Sequence, residues 1–195
     1  NTMGVYLSTD NGANWKQANN GFPKSNSVYT FLVSGGNLFA GTDSGIVLST
    51  NNGTSWNQVN NGLMKSRVNA LAISGKNLFA GKNDGVFVST NNGINWTPVS
   101  NGLTITDVRT LVVSGTNLYA GTYGGGVFLS TNNGTSWTAV NTGLTNTSVR
   151  SLVVNGSNLF AGTEGGGAFL STNNGTSWSQ VNNGLTNSYI NTIAV

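Results

Sequence analysis

Tryptophan returns along this 195-residue chain at positions 15, 56, 96, 137 and 178, at spacings of 41, 40, 41 and 41 residues. A second marker keeps the same phase: NLFAG at 37–41 and 77–81, NLYAG at 117–121 and NLFAG at 158–162. A period near 40 that runs the whole length implies units that cannot bury their faces alone and stack against their neighbours.

Each unit holds four short apolar runs separated by turn residues, as in SVRSLVV (148–154), NLFAG (158–162), GAFLST (167–172) and TSWSQVN (176–182). Separators of the Asn-Gly, Ser-Gly and Gly-Gly type supply the positive φ of tight hairpins, so each unit reads as an antiparallel four-stranded meander. Runs such as Val127-Phe128-Leu129 are apolar at consecutive positions, which fits a sheet covered on both faces. The fold class expected is therefore all-β, a β-propeller of four-stranded antiparallel blades with about 41 residues per blade. A β-helix would need shorter periods, and leucine-rich or helical solenoids would need a helical periodicity that is missing.

With strands named A to D outward from the axis, the A strands fall at 28–34, 68–74, 108–114, 149–155 and 189–195. The single propeller domain, 1–195, then divides into blades 28–67, 68–107, 108–148 and 149–188. Residues 1–27 supply the C and D strands of a closing blade and 189–195 its A strand. That permuted blade is incomplete, because its B strand, roughly nine residues, has no counterpart. Five blades is the favoured count; a slice of a larger ring, part of a longer repeat chain, is the alternative.

The chain is 37% hydrophobic with 28 Gly, enough for a core, yet only 7% of its residues are charged. Asn, Ser and Thr must provide the polar surface, a composition that suits a secreted or cell-surface protein whose signal lies outside these residues. Eight Lys and Arg against five Asp and Glu give a net charge of +3, too thin for nucleic-acid binding. No apolar stretch reaches the length of a membrane span. The absence of Cys and His removes disulfides, thiol nucleophiles, structural zinc and every Ser-His couple. No cofactor or metal is expected.

The C–D hairpins read STDNGANW (8–15), STNNGTSW (49–56), STNNGINW (89–96), STNNGTSW (130–137) and STNNGTSW (171–178). They resemble the Asp-box, or BNR repeat, Ser/Thr-x-Asp-x-Gly-x-x-Trp. That motif marks sialidase-like propellers, sortilin-type receptors, some xyloglucan-degrading glycosidases and photosystem-assembly-factor propellers. Asp10 keeps the family acid, whereas Asn51, Asn91, Asn132 and Asn173 replace it. Asp or Asn at such a turn accepts backbone N–H bonds, Gly takes a positive φ, and Trp15, Trp56, Trp96, Trp137 and Trp178 cover the hairpins with apolar rings. The boxes are expected to be structural, since four neutral amides make poor ligands for a hard cation.

In a propeller the D-to-A and B-to-C connections share one face, and here the repeats differ. At the start of strand A the equivalent residues are Tyr29, Asn69, Arg109, Arg150 and Asn191, with Lys65, Arg67 and Asp107 close by. In the B–C loop they are Asp43, Asn83, Tyr123 and Glu164, with Lys82 and Asp84 adjacent. The expected binding rim is Tyr29, Arg109, Tyr123, Arg150 and Glu164, a polar mouth over the channel for a glycan or protein partner. Tyr29, Tyr123 and Tyr189 are the aromatic platforms a sugar would use, while Phe39, Phe79, Tyr119 and Phe160 are expected in the core.

Resemblance to sialidases would imply an arginine trio, a Tyr nucleophile assisted by Glu, and an Asp acid/base. Arg67, Arg109, Arg150, Tyr123, Glu164, Asp43 and Asp84 supply those types, and Asp43 with Asp84 could form the carboxylate pair of an inverting glycosidase. The long loops that carry such sites are absent. The expectation is a non-catalytic interaction or carbohydrate-recognition module of an exported repeat protein, with a glycoside hydrolase or a structural spacer as alternatives.

Overall fold

The computed structural model describes residues 4–24 and 26–195. Among them there is no helix. Two short strands, β1 (Tyr6–Leu7) and β2 (Lys16–Gln17), pair with each other. Four four-stranded antiparallel sheets follow. The first comprises β3 (Val28–Ser34), β4 (Asn37–Thr42), β5 (Gly45–Ser49) and β6 (Asn57–Gln58). The second comprises β7 (Val68–Ser74), β8 (Asn77–Lys82), β9 (Gly85–Ser89) and β10 (Thr97–Pro98). The third runs β11 (Val108–Ser114), β12 (Asn117–Thr122), β13 (Gly126–Ser130) and β14 (Thr138–Ala139), and the fourth β15 (Val149–Asn155), β16 (Asn158–Thr163), β17 (Gly167–Ser171) and β18 (Ser179–Gln180). Strand order within each sheet is sequence order, the meander of a propeller blade.

The core lies between blades. Phe39 and Ile46 of the first blade pack with Leu71, Leu78, Phe87 and Trp96 of the second, and Phe79 with Leu111, Phe128 and Trp137 across the next joint. The glycine of each NLFAG segment is what lets blades approach. A Cβ on Gly81 would lie 2.6 Å from Val108 Cγ1, and one on Gly121 2.7 Å from Val149 Cγ1, separations no side chain tolerates.

The hairpin boxes share one set of bonds. Ser49 Oγ donates to Asn51 Oδ1 at 2.9 Å, and the Gly53 and Ser55 N–H groups donate to Ser49 Oγ and Asn51 Oδ1 at 2.8 and 2.9 Å. Asn52 and Gly53 take φ of 55° and 82°, as Asn-Gly turn chemistry requires. Asp10 accepts the same bonds from Ser8 Oγ and Asn14 N–H, and adds one from Asn14 Nδ2 at 2.7 Å.

Trp56, Trp96, Trp137 and Trp178 are 2–4% exposed, as expected. Trp15 is 63% exposed, a correction to its expected role as a covered ring. The reason is that the four buried tryptophans lie against the repeat before them, and Trp15 has no described repeat on that side. Residues 189–195 flank the last blade, where Ile190 and Ile193 face Gly162, but they form no strand; only Tyr189 bridges to Glu164. The half-blade β1–β2 is present as a separate sheet, and among the described residues no ladder joins it to 189–195.

Candidate functional site

Each A strand begins with a register shift against strand B. Val28 opposes Thr42 and Thr30 opposes Gly41, so Tyr29 is the extra residue; Asn69, Arg109 and Arg150 hold the same bulged place in the next blades. A β-bulge re-aims one side chain out of the ladder. Here it turns the residue at the head of strand A toward the B–C turn of its own blade.

Four different pairs result. Tyr29 OH donates to Asp43 Oδ1 at 2.6 Å, and Asn69 Nδ2 to Asn83 Oδ1 at 2.8 Å. The Arg109 guanidinium lies 5.3 Å from the Tyr123 ring centre, within cation–π reach. Arg150 meets Glu164 Oε2 through Nε at 2.9 Å and through its terminal nitrogen at 2.7 Å, a charge-assisted pair.

Neighbouring blades continue the rim. The Gly124 and Gly165 N–H groups donate to Thr147 O and Ser188 O at the head of the next repeat, both at 3.1 Å. Arg67 stacks 3.6 Å from the Tyr29 ring centre, and Arg150 lies 4.8 Å from that of Tyr189. The Tyr29 hydroxyl, then the Ser27 N–H, hold the Asp43 carboxyl below its ordinary 3.8, with the Arg67 charge adding a smaller push. All five expected rim residues, Tyr29, Arg109, Tyr123, Arg150 and Glu164, therefore lie on one edge, and they are coupled in pairs within their blades.

One stretch of this edge gathers Arg67, Asn69, Asp107 and Arg109, which the sequence places there, with Ser66, which it does not. Ser66 Oγ, Arg67 Nε, Asn69 Oδ1, Asp107 Oδ1 and Arg109 Nε are buried atoms that make no hydrogen bond within the protein. They sit at the heads of two adjacent A strands, which Asn69 ties together by donating to Val108 O at 2.8 Å. Arg109 binds Asp107 Oδ2 at 2.6 Å through its terminal nitrogen, which leaves its Nε–H and the other carboxylate oxygen unspoken for. Buried polar atoms are rarely left so.

Lys82 departs from its expected place among the rim charges. Its side chain is fully buried, with Nζ donating to Met64 O at 3.0 Å and lying 3.3 Å from Asp84. It ends strand β8 at the position that Thr42, Thr122 and Thr163 occupy elsewhere. Asp84 is held by Lys82, and Asp43 by Tyr29 and Ser27. No group of three or more metal-binding side chains occurs among the described residues. No helix among them is long and apolar enough to cross a membrane.

Comparison with known proteins agrees with this architecture. The family model described as DUF6242 beta propeller domain matches residues 1–103 and again 86–192. A crystal structure of an ancestral GH74 enzyme is similar over 96% of this chain and 29% of its own, at 24% identity and a TM-score of 0.77. The extracellular domain of a protein described as a one-component system from B. thetaiotaomicron is similar over 99% of this chain and 33% of its own, at 16% identity and a TM-score of 0.73. YCF48 bound to D1 peptide is similar over 90% of this chain and 60% of its own, at 16% identity and a TM-score of 0.61. The chain thus spans about a third or less of the first two, and at these identities the likeness is one of fold. A search of the curated proteins finds no match.

Proposed function

The chain belongs to the DUF6242 β-propeller domain family, and from that premise we propose that it is a non-catalytic interaction module of an exported repeat protein. It takes a polar glycan or protein partner at the rim. The observation that carries this reading is the row of polar pairs along one edge, where Tyr29 and Tyr123 are 37% and 45% exposed beside Asn69 and Arg109. A partner offering both hydrogen-bond acceptors and donors would suit that edge, with Tyr29 and Tyr123 as flanking rings.

Several features support the rest of the reading. Each rim carboxylate is engaged, Asp43 by Tyr29, Asp107 by Arg109 and Glu164 by Arg150, whereas an acid/base pair needs environments that drive two carboxyls apart. The common bonds of the five hairpins support their reading as Asp-box turns. An exported location is supported by the charge-poor surface and by the extracellular domain among the similar structures. YCF48 is a propeller solved with a peptide bound, which supports a protein as one class of partner.

The test is retention of the purified chain on arrays of glycans, polysaccharides and peptides, with released sugar assayed in the same wells. Retention should fall about tenfold or more in Arg109→Ala and Asn69→Ala, the loss of a hydrogen bond to a charged or buried group. Lys76→Ala, on an exposed turn, should leave it unchanged. Release of sugar would overturn the non-catalytic reading, and retention indifferent to Arg109 and Asn69 would overturn the site.

A further inference from the structure

Asn is followed by Gly ten times in this chain, and at such a step no Cβ shields the glycine nitrogen from the asparagine side chain. The fold treats the ten differently. Five lie in the hairpin boxes, and there the glycine N–H donates to the serine that opens the box, at 2.8–2.9 Å in every copy. A nitrogen held in this way must give up a hydrogen bond before it can react. At Asn20, Asn61 and Asn101 the asparagine carbonyl is the group held, by the N–H of Trp56, Trp96 and Trp137 at 2.9 Å. The following glycine backs onto the same tryptophan, so that a Cβ on Gly62 would lie 2.1 Å from Trp96 O. Asn183 ends this second set in the last turn of the chain.

Asn155 belongs to neither set. It ends β15, where it pairs with Asn158 across the A–B turn, and both it and Gly156 are exposed. Among the described residues no hydrogen bond engages the Gly156 N–H or the Asn155 side chain, and nothing lies within 4 Å of where a Cβ on Gly156 would be. This openness is a property of the turn: Gly75 and Gly115 are equally open in the second and third blades, which have a blade on either side. Those turns share one shape, with φ of 60°, 59° and 60° at Gly75, Gly115 and Gly156. The residue at the head of the turn is what differs, since Ser34, Ser74 and Ser114 stand where the fourth blade has Asn155.

We propose that Asn155 is a site of spontaneous covalent modification, where the chain converts its own asparagine to a carboxylate. The Gly156 nitrogen attacks Asn155 Cγ. An N–Cγ bond forms, the bond from Cγ to the side-chain nitrogen breaks, and that nitrogen leaves as ammonia with the proton given up by Gly156. Water then opens the five-membered imide. Addition at one imide carbonyl gives aspartate; addition at the other gives isoaspartate, whose main chain runs through the side-chain carbons. Nothing is oxidised or reduced, and water is the co-reactant. Either product places a negative charge at the tip of the A–B hairpin, at the opposite end of β15 from Arg150. Isoaspartate also adds a methylene to the main chain beside a two-residue turn, whose length sets the register of its strands. The reaction uses no rim residue and stands apart from partner binding.

The test is to age the folded 195-residue chain in mildly alkaline buffer and map its peptides by mass spectrometry, with isoaspartate counted by enzymatic methylation. Asn155 should convert roughly tenfold or more faster than any box asparagine, the factor that one extra hydrogen bond on the glycine N–H represents. Conversion should quicken as pH rises, because the attacking amide must lose its proton. Asn155→Ser should remove the slowly appearing acidic form, and Ser114→Asn should create a second reactive site in the third blade. Both variants should keep the wild-type circular dichroism and melting curve, since Ser and Asn already occupy this turn in different blades. Box asparagines that convert as fast as Asn155 would overturn the proposal. So would an Asn155 that stays intact, or a Ser114→Asn chain that remains unmodified at that position.

Discussion

Tyr29 donates its hydroxyl to Asp43 at 2.6 Å across fourteen residues of chain, and Asn69–Asn83, Arg109–Tyr123 and Arg150–Glu164 repeat that spacing in the next three blades. In each, the bulge at the head of strand A and the following B–C turn set one residue of the pair against the other. The rim is a row of four short, independent couplings.

For the first of these a pH dependence follows. Asp43 titrates below its ordinary 3.8 when folded, chiefly because of the Tyr29 hydroxyl. Its contribution to stability is therefore present above pH 3.8 and is lost as pH falls through the lower folded value. Tyr29→Phe should move the Asp43 titration back toward 3.8, read by carboxyl chemical shifts, and flatten the acid limb of stability against pH.

Asp10 provides a second acid-side test. Hydrogen bonds from the Asn14 side chain and backbone and from Ser8 lower its pKa to about 2. Four of the five boxes hold the same turn with Asn, so Asp10→Asn should leave circular dichroism and melting at pH 7 unchanged. The wild type alone should lose a stabilising contribution between pH 3.8 and about 2.

The contrast between tryptophans is sharper still. Trp137 is buried and bonded to Asn101 O and Val99 O, so Trp137→Ala should cost about 3–5 kcal/mol. For a chain of this length each kcal/mol lowers the melting temperature by roughly 2–4 °C. Trp15→Ala, at an exposed ring, should stay within about 0.5 kcal/mol of wild type.

Lys82 tests the column it occupies. Thr42, Thr122 and Thr163 donate their hydroxyls to Gly45 O, Gly126 O and Gly167 O at 2.8–3.0 Å. Lys82→Thr should restore that bond to Gly85 O, releasing a buried ammonium while Asp84, partly exposed, is left to water. Urea denaturation should show equal or greater stability, because the desolvation of the ammonium is relieved while the Asp84 carboxylate, 33% exposed, regains water in its place. A marked loss would show that the Met64 carbonyl depends on the lysine.

The A strands, 28–34, 68–74, 108–114 and 149–155, were legible to the residue, because apolar spacing and turn glycines both bound them. The D strands were not: TSWSQVN over 176–182 reads as a run, yet the ladder keeps only Ser179 and Gln180, since Trp178 leaves it to bond the neighbouring repeat. Tyr29, Arg109, Tyr123, Arg150 and Glu164 could be placed on one rim from their shared phase. Their pairing could not, because it depends on a bulge that hydropathy does not mark. Asn69 was placed there by its phase with Tyr29 and Arg109, but as a neutral residue in a charged series it was left out of the expected rim. Lys82 was misplaced for the opposite reason: its charge suggested a loop, while the preceding LFAG placed it inside the strand.

Each joint between repeats uses the backbone N–H and indole Nε1–H of a buried tryptophan, donated to two carbonyls of the repeat before it, and one turn glycine that makes room for the tryptophan carbonyl. Unequal recombination that inserts or deletes a 41-residue unit would carry both halves with it, so every new junction would be born complete. A unit could thus be added or removed without any compensating substitution, and each would bring its own rim pair with it.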